Sequence, residues 1–254
     1  MEKITLYGYS PSPFVQKVAA FLYFKDLPFE FVPVNPLAAN ETIGFTGGAR
    51  VPVLAIDDEW RLDSTPIGMW LDERFPEKPL LPENQRQRAR ILSIDHWLNE
   101  MFFPSFFRGF IDGPCDARFR ARSWRYATLI DADTPLDSSN RNRWPELQRN
   151  APFLHDMIRG LDRDEPVAEM NTRLEQELLD HLGSGPFLGE SPVPTLVDLA
   201  LFPSLVFAYL VGIEDTIEAA KLAETKAYVL KMADVLPENT TLVPDEFIVN
   251  RLTQ

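Results

Sequence analysis

Two short motifs set one strand apart constrain this chain most: Val51-Pro52-Val53-Leu54, then Asp63-Ser64-Thr65-Pro66-Ile67-Gly68-Met69-Trp70-Leu71. Proline has no N–H to give to a β-ladder, so Pro52 belongs at an edge, a bend or a strand start. An X-Pro bond adopts either isomer at little cost, and a cis bond here would turn the N–H and C=O of Val51 outward, where an extended peptide can pair with them. Asp63 and Ser64 precede a helical pattern that places Ile67, Trp70, Leu71 and Phe75 on one face. A helix start with Asp and Ser offers side-chain acceptors beside unpaired backbone N–H groups. Such a site takes a carboxylate on its N–H groups and an ammonium on its acid, which is the complement of an amino acid head group. A plain N-cap uses the same residue types, and the motif alone does not separate the two readings.

The preceding segment reads strand, turn, helix, strand. Ile4-Thr5-Leu6-Tyr7 is followed by a turn, then by a helical run with Val15, Val18, Ala19 and Leu22 on one side. Ser12-Pro13 stands at the helix start, where the missing N–H of proline costs nothing and the serine side chain faces the positive end of the helix. Residues 29–34 form a second strand, and Val53–Ile56 with Glu59–Leu62 form a hairpin around Asp57-Asp58.

In order and spacing, these motifs resemble the glutathione transferase superfamily in its serine-type, bacterial-like form. The residues that carry the resemblance are Leu6-Tyr7-Gly8, the run Ser12-Pro13-Phe14-Val15-Gln16-Lys17-Val18, Arg50-Val51-Pro52-Val53-Leu54, and Asp63-Ser64 with Ile67, Trp70-Leu71-Asp72 and Phe75-Pro76. Phe187-Leu188-Gly189 and Thr195-Leu196-Val197-Asp198-Leu199-Ala200-Leu201 match further downstream, whereas the region around residues 105–165 matches no pattern. The resemblance implies an α/β plus all-α fold: a thioredoxin-like glutathione-binding domain over residues 1–78, a linker over 79–85, and a larger all-helical domain over 86–254.

It also implies roles for residues. Glutathione's thiol has a free pKa of about 8.5, so little of it is thiolate at neutral pH. Ser12 would stabilise the thiolate with a hydrogen bond at a helix N-terminus, acting as a donor and not as a nucleophile, since no base is apparent near it. Ser10, Tyr7 and Tyr9 compete for that role. A cysteine at this place would run disulfide exchange, and serine argues against that branch. Val51 beside Pro52 would pair with the cysteinyl part of the tripeptide, Asp63 and Ser64 would hold its γ-glutamyl end, and Arg50 would reach a carboxylate. Asp63 departs from the commoner Glu or Gln by one methylene, and residues 37–48, where glycine-end contacts belong, hold no lysine.

The rest of the chain bounds these expectations. Asp and Glu outnumber Lys and Arg by 38 to 25, which argues against nucleic acid or an anionic membrane as partner. The single cysteine, Cys115, excludes an internal disulfide and fits a reducing compartment. His96, His155 and His181 lack ligand spacing, so no metal is expected. The start has no charged-then-apolar leader, so export is not expected. Residues 194–213 are almost wholly apolar, yet Thr195-x-x-Asp198 has the pattern of a capping box with reciprocal bonds, so a buried central helix is expected, kinked or broken near Pro203. Pro76, Pro79 and Pro82 impose an extended path between the domains. Residues 131–142 read as a polar, irregular loop. From residue 83 to 173 every basic residue is arginine, and Arg108, Arg118, Arg120, Arg122, Arg125, Arg141, Arg143 and Arg149 interleave with Phe106, Phe107, Phe110, Phe119, Trp124, Tyr126 and Trp144. This describes either an aromatic pocket for an anionic electrophile, in which Trp124 and Arg125 would take part, or packing of a helical insertion or subunit interface.

The reading is a cytoplasmic, homodimeric glutathione transferase of the detoxification type, with glutathione as co-substrate and a small electrophile as its second substrate. The alternatives are a glutathione-dependent isomerase or dehalogenase, and a non-catalytic binding or assembly protein on the same fold.

Overall fold

The computed structural model describes residues 2–214, 217–237 and 239–252. Its first part is built as the periodicity predicts. Strand β1 (Ile4–Gly8) leads into α1 (Pro13–Phe24) and returns as β2 (Glu30–Pro33), parallel to β1; α2 (Ala39–Ile43) follows, then β3 (Val53–Ile56), β4 (Glu59–Leu62) and α3 (Ser64–Arg74). The four strands pair in the order β2-β1-β3-β4, with β3 antiparallel to both neighbours. A helix joins the parallel pair because a tight turn cannot, and the β3–β4 hairpin turns at Asp57, whose φ of 52° is a conformation that a short polar side chain tolerates.

The remainder is helical: α4 (Gln85–Trp97), α5 (Phe103–Asp112), α6 (Ala117–Asp133), α7 (Ser138–Asn142), α8 (Trp144–Arg149), α9 (Pro152–Met157), α10 (Val167–Leu182), α11 (Asp198–Leu210) and α12 (Ala223–Ala233). A π-helical turn, Leu98–Phe102, connects α4 to α5. The apolar residues Ile91, Ile94, Trp97, Leu98, Met101 and Phe102, whose spacing in the sequence reads as one helical stripe, therefore do not belong to one uniform α-helix. The stretch expected as an irregular loop is largely helical too: α6 extends to Asp133 and Asp137 caps α7 through the N–H of Asn140, leaving only residues 134–137 between them.

Helix α11 packs along α1 and is buried on nearly every side, as expected of an apolar helix in a protein interior. Gly68 of α3 lets this layer close up, since a Cβ there would stand 2.9 Å from the Phe21 ring and 3.1 Å from Leu196. Two expectations about α11 need correcting. Of the kink or break expected at Pro203, the break does not occur: the helix continues from Asp198 to Leu210 through that residue. Its cap is only half a capping box: the Asp198 carboxylate takes the N–H of Thr195 (2.8 Å), but the Thr195 hydroxyl donates to that carboxylate (3.0 Å) and accepts no backbone N–H among the described residues. The reason is local demand. Asp198 is fully buried and also accepts from the N–H of Leu188 (2.9 Å) and the hydroxyl of Tyr228 (3.2 Å). Burial outweighs these donors and pushes its pKa up to about 6.

The proline-rich connection after α3 is held in place. The Asp72 carboxylate accepts the N–H of Leu80 (2.8 Å) and of Leu81 (3.0 Å) and pairs with Lys25 (2.8 Å), while the Leu80 carbonyl takes the N–H of Leu196 (2.7 Å). No helix among the described residues is long and apolar enough to cross a membrane.

Candidate functional site

Sheet register brings the candidate residues together. Tyr7 of β1 stands opposite Val53 of β3, and Val53 stands opposite Leu62 of β4. The chain leaves this row at one end of the sheet three times: through Gly8 toward Ser12, back through Pro52 and Val51 to Arg50, and forward into Asp63 and Ser64. Two helices begin there, α1 after Ser12 and α3 after Asp63, so two positive helix ends converge on one region.

The peptide bond between Val51 and Pro52 is cis, which settles the isomer left open by the sequence. Among the described residues no hydrogen bond engages the backbone of Val51. Arg50 is exposed and pairs with no acid among the described residues. Asp63 adopts φ 63° and ψ 130°, a region that side-chain-bearing residues seldom occupy, and its carboxylate makes no capping bond. The plain N-cap reading of Asp63 therefore fails. Backbone strain held at an exposed acid is the kind of feature that accompanies ligand contact. Ser64 is largely buried, its hydroxyl bonds to none of the described residues, and the N–H groups of Ser64 and Thr65 find no acceptor among them.

Ser12 caps α1. Its Oγ accepts the N–H of Val15 at 3.4 Å, leaving the hydroxyl proton without an acceptor among the described residues. The three competitors are placed differently. Ser10 is fully buried and its hydroxyl is taken by Asp133 (2.8 Å). Tyr7 packs edge-on against Phe45 in a small cluster on the β3–β4 side. Burial pushes the Tyr9 hydroxyl up to about 12, the wrong direction for supplying an anion.

Sequence reasoning missed the layer beneath these residues. Lys17 is fully buried; its Nζ donates to Asp95 of α4 (2.5 Å) and to the hydroxyl of Thr65 (3.0 Å), and Thr65 donates in turn to Asp95 (2.5 Å). Asn99, in the π-helical turn, donates to Asp95 at 3.1 Å. Burial lowers the pKa of Lys17, and the neighbouring Asp95 carboxylate opposes that shift. This network ties α1, α3 and α4 together next to Ser64. Lys17 lies inside the matched motif, but nothing about its spacing signals that its partner is 78 residues away.

Beside the Ser12 turn lies a narrow aromatic cleft. Pro11 and Pro13 form one side, Phe106, Phe107 and Phe110 of α5 another, and Tyr126 of α6 and Phe207 of α11 are among the residues that close it. The Arg122 guanidinium stacks 3.5 Å from the centre of the Phe110 ring at this cleft. Trp124 and Arg125, the residues singled out from sequence, do not line it. Other arginines of this region serve packing: Arg108 is buried and donates to the carbonyls of Asp162 (2.9 Å) and Glu165 (2.5 Å). The arginine-rich segment thus divides between the two roles expected for it.

Comparison with known proteins agrees with this geometry. Residues 6–79 match the family model of the glutathione S-transferase N-terminal domain. Over 92 residues, 35% of this chain and 42% of the relative, the chain is 37% identical to glutathione S-transferase Z1 of Arabidopsis thaliana. Over 95 residues, again 35% and 42%, it is 28% identical to the probable maleylacetoacetate isomerase 2 of Drosophila melanogaster. These matches span about two-fifths of the relatives' length. Among solved structures, the β-etherase LigF of Sphingobium superposes with a TM-score of 0.62 at 22% identity, covering 93% of this chain and 96% of that one, so the two share a fold along nearly their whole length.

Proposed function

We propose that the chain, whose residues 6–79 match the glutathione S-transferase N-terminal domain, is a glutathione transferase that activates the thiol of glutathione for attack on a small electrophile held in the aromatic cleft. One observation carries the reading: a serine at the start of α1 shares an end of the sheet with the start of α3, and among the described residues the Ser12 hydroxyl proton, the Asp63 carboxylate, the Ser64 hydroxyl and the N–H groups of Ser64 and Thr65 have no partner. In this reading Ser12 donates to the sulfur, and the positive end of α1 favours the thiolate over the thiol. Val51 pairs with the cysteinyl backbone. The N–H groups of Ser64 and Thr65 receive the γ-glutamyl carboxylate and Asp63 its ammonium, while Arg50 takes the glycine carboxylate that residues 37–48 have no lysine to meet. With the tripeptide fixed on three sides, the sulfur faces Pro11, Pro13 and the phenylalanines of α5, where an apolar electrophile displaces water.

Isomerisation through the same thiolate is the second reading, supported by the name of the Drosophila relative. The proposal includes a homodimer, for which Phe45 and Leu37, each about half exposed, offer apolar surface, and a cytoplasmic location, with which the free, exposed Cys115 is compatible. Titration calorimetry with glutathione, followed by turnover on a panel of aryl halides, peroxides and cis-alkenes, tests the reading. Absence of both binding and turnover would leave a non-catalytic module on this fold.

A further inference from the structure

Serine and proline alternate between Tyr9 and Phe14, so Ser10 and Ser12 carry the only backbone N–H groups of that turn. The N–H of Ser12 donates to the Tyr9 carbonyl (3.0 Å). Ser10 looks elsewhere: its hydroxyl donates to Oδ2 of Asp133 at 2.8 Å, and its N–H points to the same oxygen at 3.5 Å. Its carbonyl accepts the Gln16 side-chain amide (2.7 Å), and the N–H of Gln16 donates to the Ser12 carbonyl (3.0 Å). Ser10 is thereby clamped on both sides, and one of the two clamps comes from 123 residues away in the helical half.

That clamp is expensive for an acid. Asp133 ends α6, where the helix dipole disfavours negative charge, and it forms no ion pair among the described residues. Burial raises its pKa, with the Ser10 hydroxyl and N–H opposing the shift. A carboxylate so placed is poorly accounted for by stability alone. The glutathione reading gives it a task, because Ser10 bonds the turn that presents Ser12 to the helical half of the molecule.

We propose that Asp133 is a positioning residue for the thiolate donor: through the Ser10 hydroxyl it fixes the turn from which Ser12 presents its own. The inference rests on the glutathione reading. It also links the two halves of the reaction, since α6 supplies Arg122 and Tyr126 to the cleft as well as Asp133 to the turn. A molecule seated in the cleft bears on the helix that holds Ser12 in register.

The test uses the full-length chain with Asp133→Ala, Asp133→Asn and Ser10→Ala, and reads kcat, KM for glutathione and the ultraviolet absorbance of bound thiolate against pH. The alanine variants are expected to lose about ten-fold or more in kcat while KM for glutathione changes less than about two-fold, because the tripeptide's other contacts lie on the far wall. The bound thiol should ionise roughly one pH unit higher, as a misplaced donor stabilises the anion less. The double variant should be no worse than either single one, and Asp133→Asn, which keeps a carbonyl acceptor, should recover most of the loss. Unchanged kcat and thiol titration in Asp133→Ala would overturn the proposal, and so would an Asn variant as impaired as Ala, because charge and not the hydrogen bond would then be at work. If the wild-type chain neither binds nor turns over glutathione, the functional reading falls and the clamp is judged by amide exchange: faster exchange at Ser12, Phe14 and Val15 in Asp133→Ala upholds the positioning contact, and unchanged exchange removes it.

Discussion

The turn carrying Ser12 and the helix start carrying Asp63 and Ser64 leave the same end of one sheet, yet the first has nearly every polar group engaged and the second leaves most of them open. Around Ser12, two prolines, the Ser10–Asp133 contact and the Gln16 amide hold the turn, and among the described residues the serine hydroxyl proton is the side-chain donor left open. At Asp63 the backbone is strained, and among the described residues the carboxylate has no partner and two N–H groups have no acceptor. The first wall is fixed from outside by the helical half. The second is fixed from below, by the buried Lys17–Asp95–Thr65 network, and is open above. A site that must aim one hydroxyl at one atom gains from rigidity. A site that must receive a charged head group gains from donors and acceptors kept unsatisfied until it arrives.

That contrast can be broken most severely from beneath the second wall. Asp95→Ala leaves Lys17 buried without its charge partner, and urea unfolding should report a loss of about 3–5 kcal/mol; a loss under 1 kcal/mol would mean that the network is not what supports α3. Next in size, Ser12→Ala should lower kcat about a hundred-fold, near 2.7 kcal/mol, while calorimetric affinity for glutathione stays within about three-fold. An equal fall in affinity would show that the two walls do not divide aiming from holding. A control remote from both walls comes from Asp198. Its folded pKa of about 6 lies above the ordinary carboxylate value of 3.8, so its contribution to stability is full below about pH 4 and fades as pH rises through 6. Asp198→Asn should remove on the order of 2 kcal/mol of that pH dependence, read as the difference in denaturation midpoints between pH 4 and pH 7, and leave both walls as they are. The smallest effect belongs to Asp63→Gly. Relief of the positive φ should raise stability by about 1 kcal/mol while affinity for glutathione falls about ten-fold; lower stability would show that the aspartate side chain holds the fold after all.

Much of the first wall and the whole sheet were legible in the sequence. Strand and helix periods, the Ser12-Pro13 start and the hairpin at Asp57 are all local, and local signals survive without knowledge of tertiary structure. The π-helical turn and the half-formed cap of α11 were not legible, because each depends on neighbours brought in by folding: Tyr228 and Leu188 compete for the Asp198 carboxylate. Asp133 is the clearest case. It sits in a polar stretch read as a loop, and its meaning lies in a serine more than a hundred residues earlier. Of the residues that interleave in the arginine-rich segment, helix phase turns Arg122 and Tyr126 to the cleft and leaves Trp124 and Arg125 off it, which composition alone does not reveal.

Leu98–Phe102 also fixes the rotational phase of everything that follows. A π turn absorbs one residue more than an α turn, and each residue of an α-helix turns the axis by about 100°. Upstream of the bulge, Asp95 faces the first half of the molecule; downstream, Phe106, Phe107 and Phe110 face the cleft. Wound as plain α-helix with every residue kept, the segment would carry the three rings about 100° round the axis and out of the cleft, without changing any residue that lines it. Which molecules the cleft admits is therefore set as much by how the backbone winds at this point as by its composition.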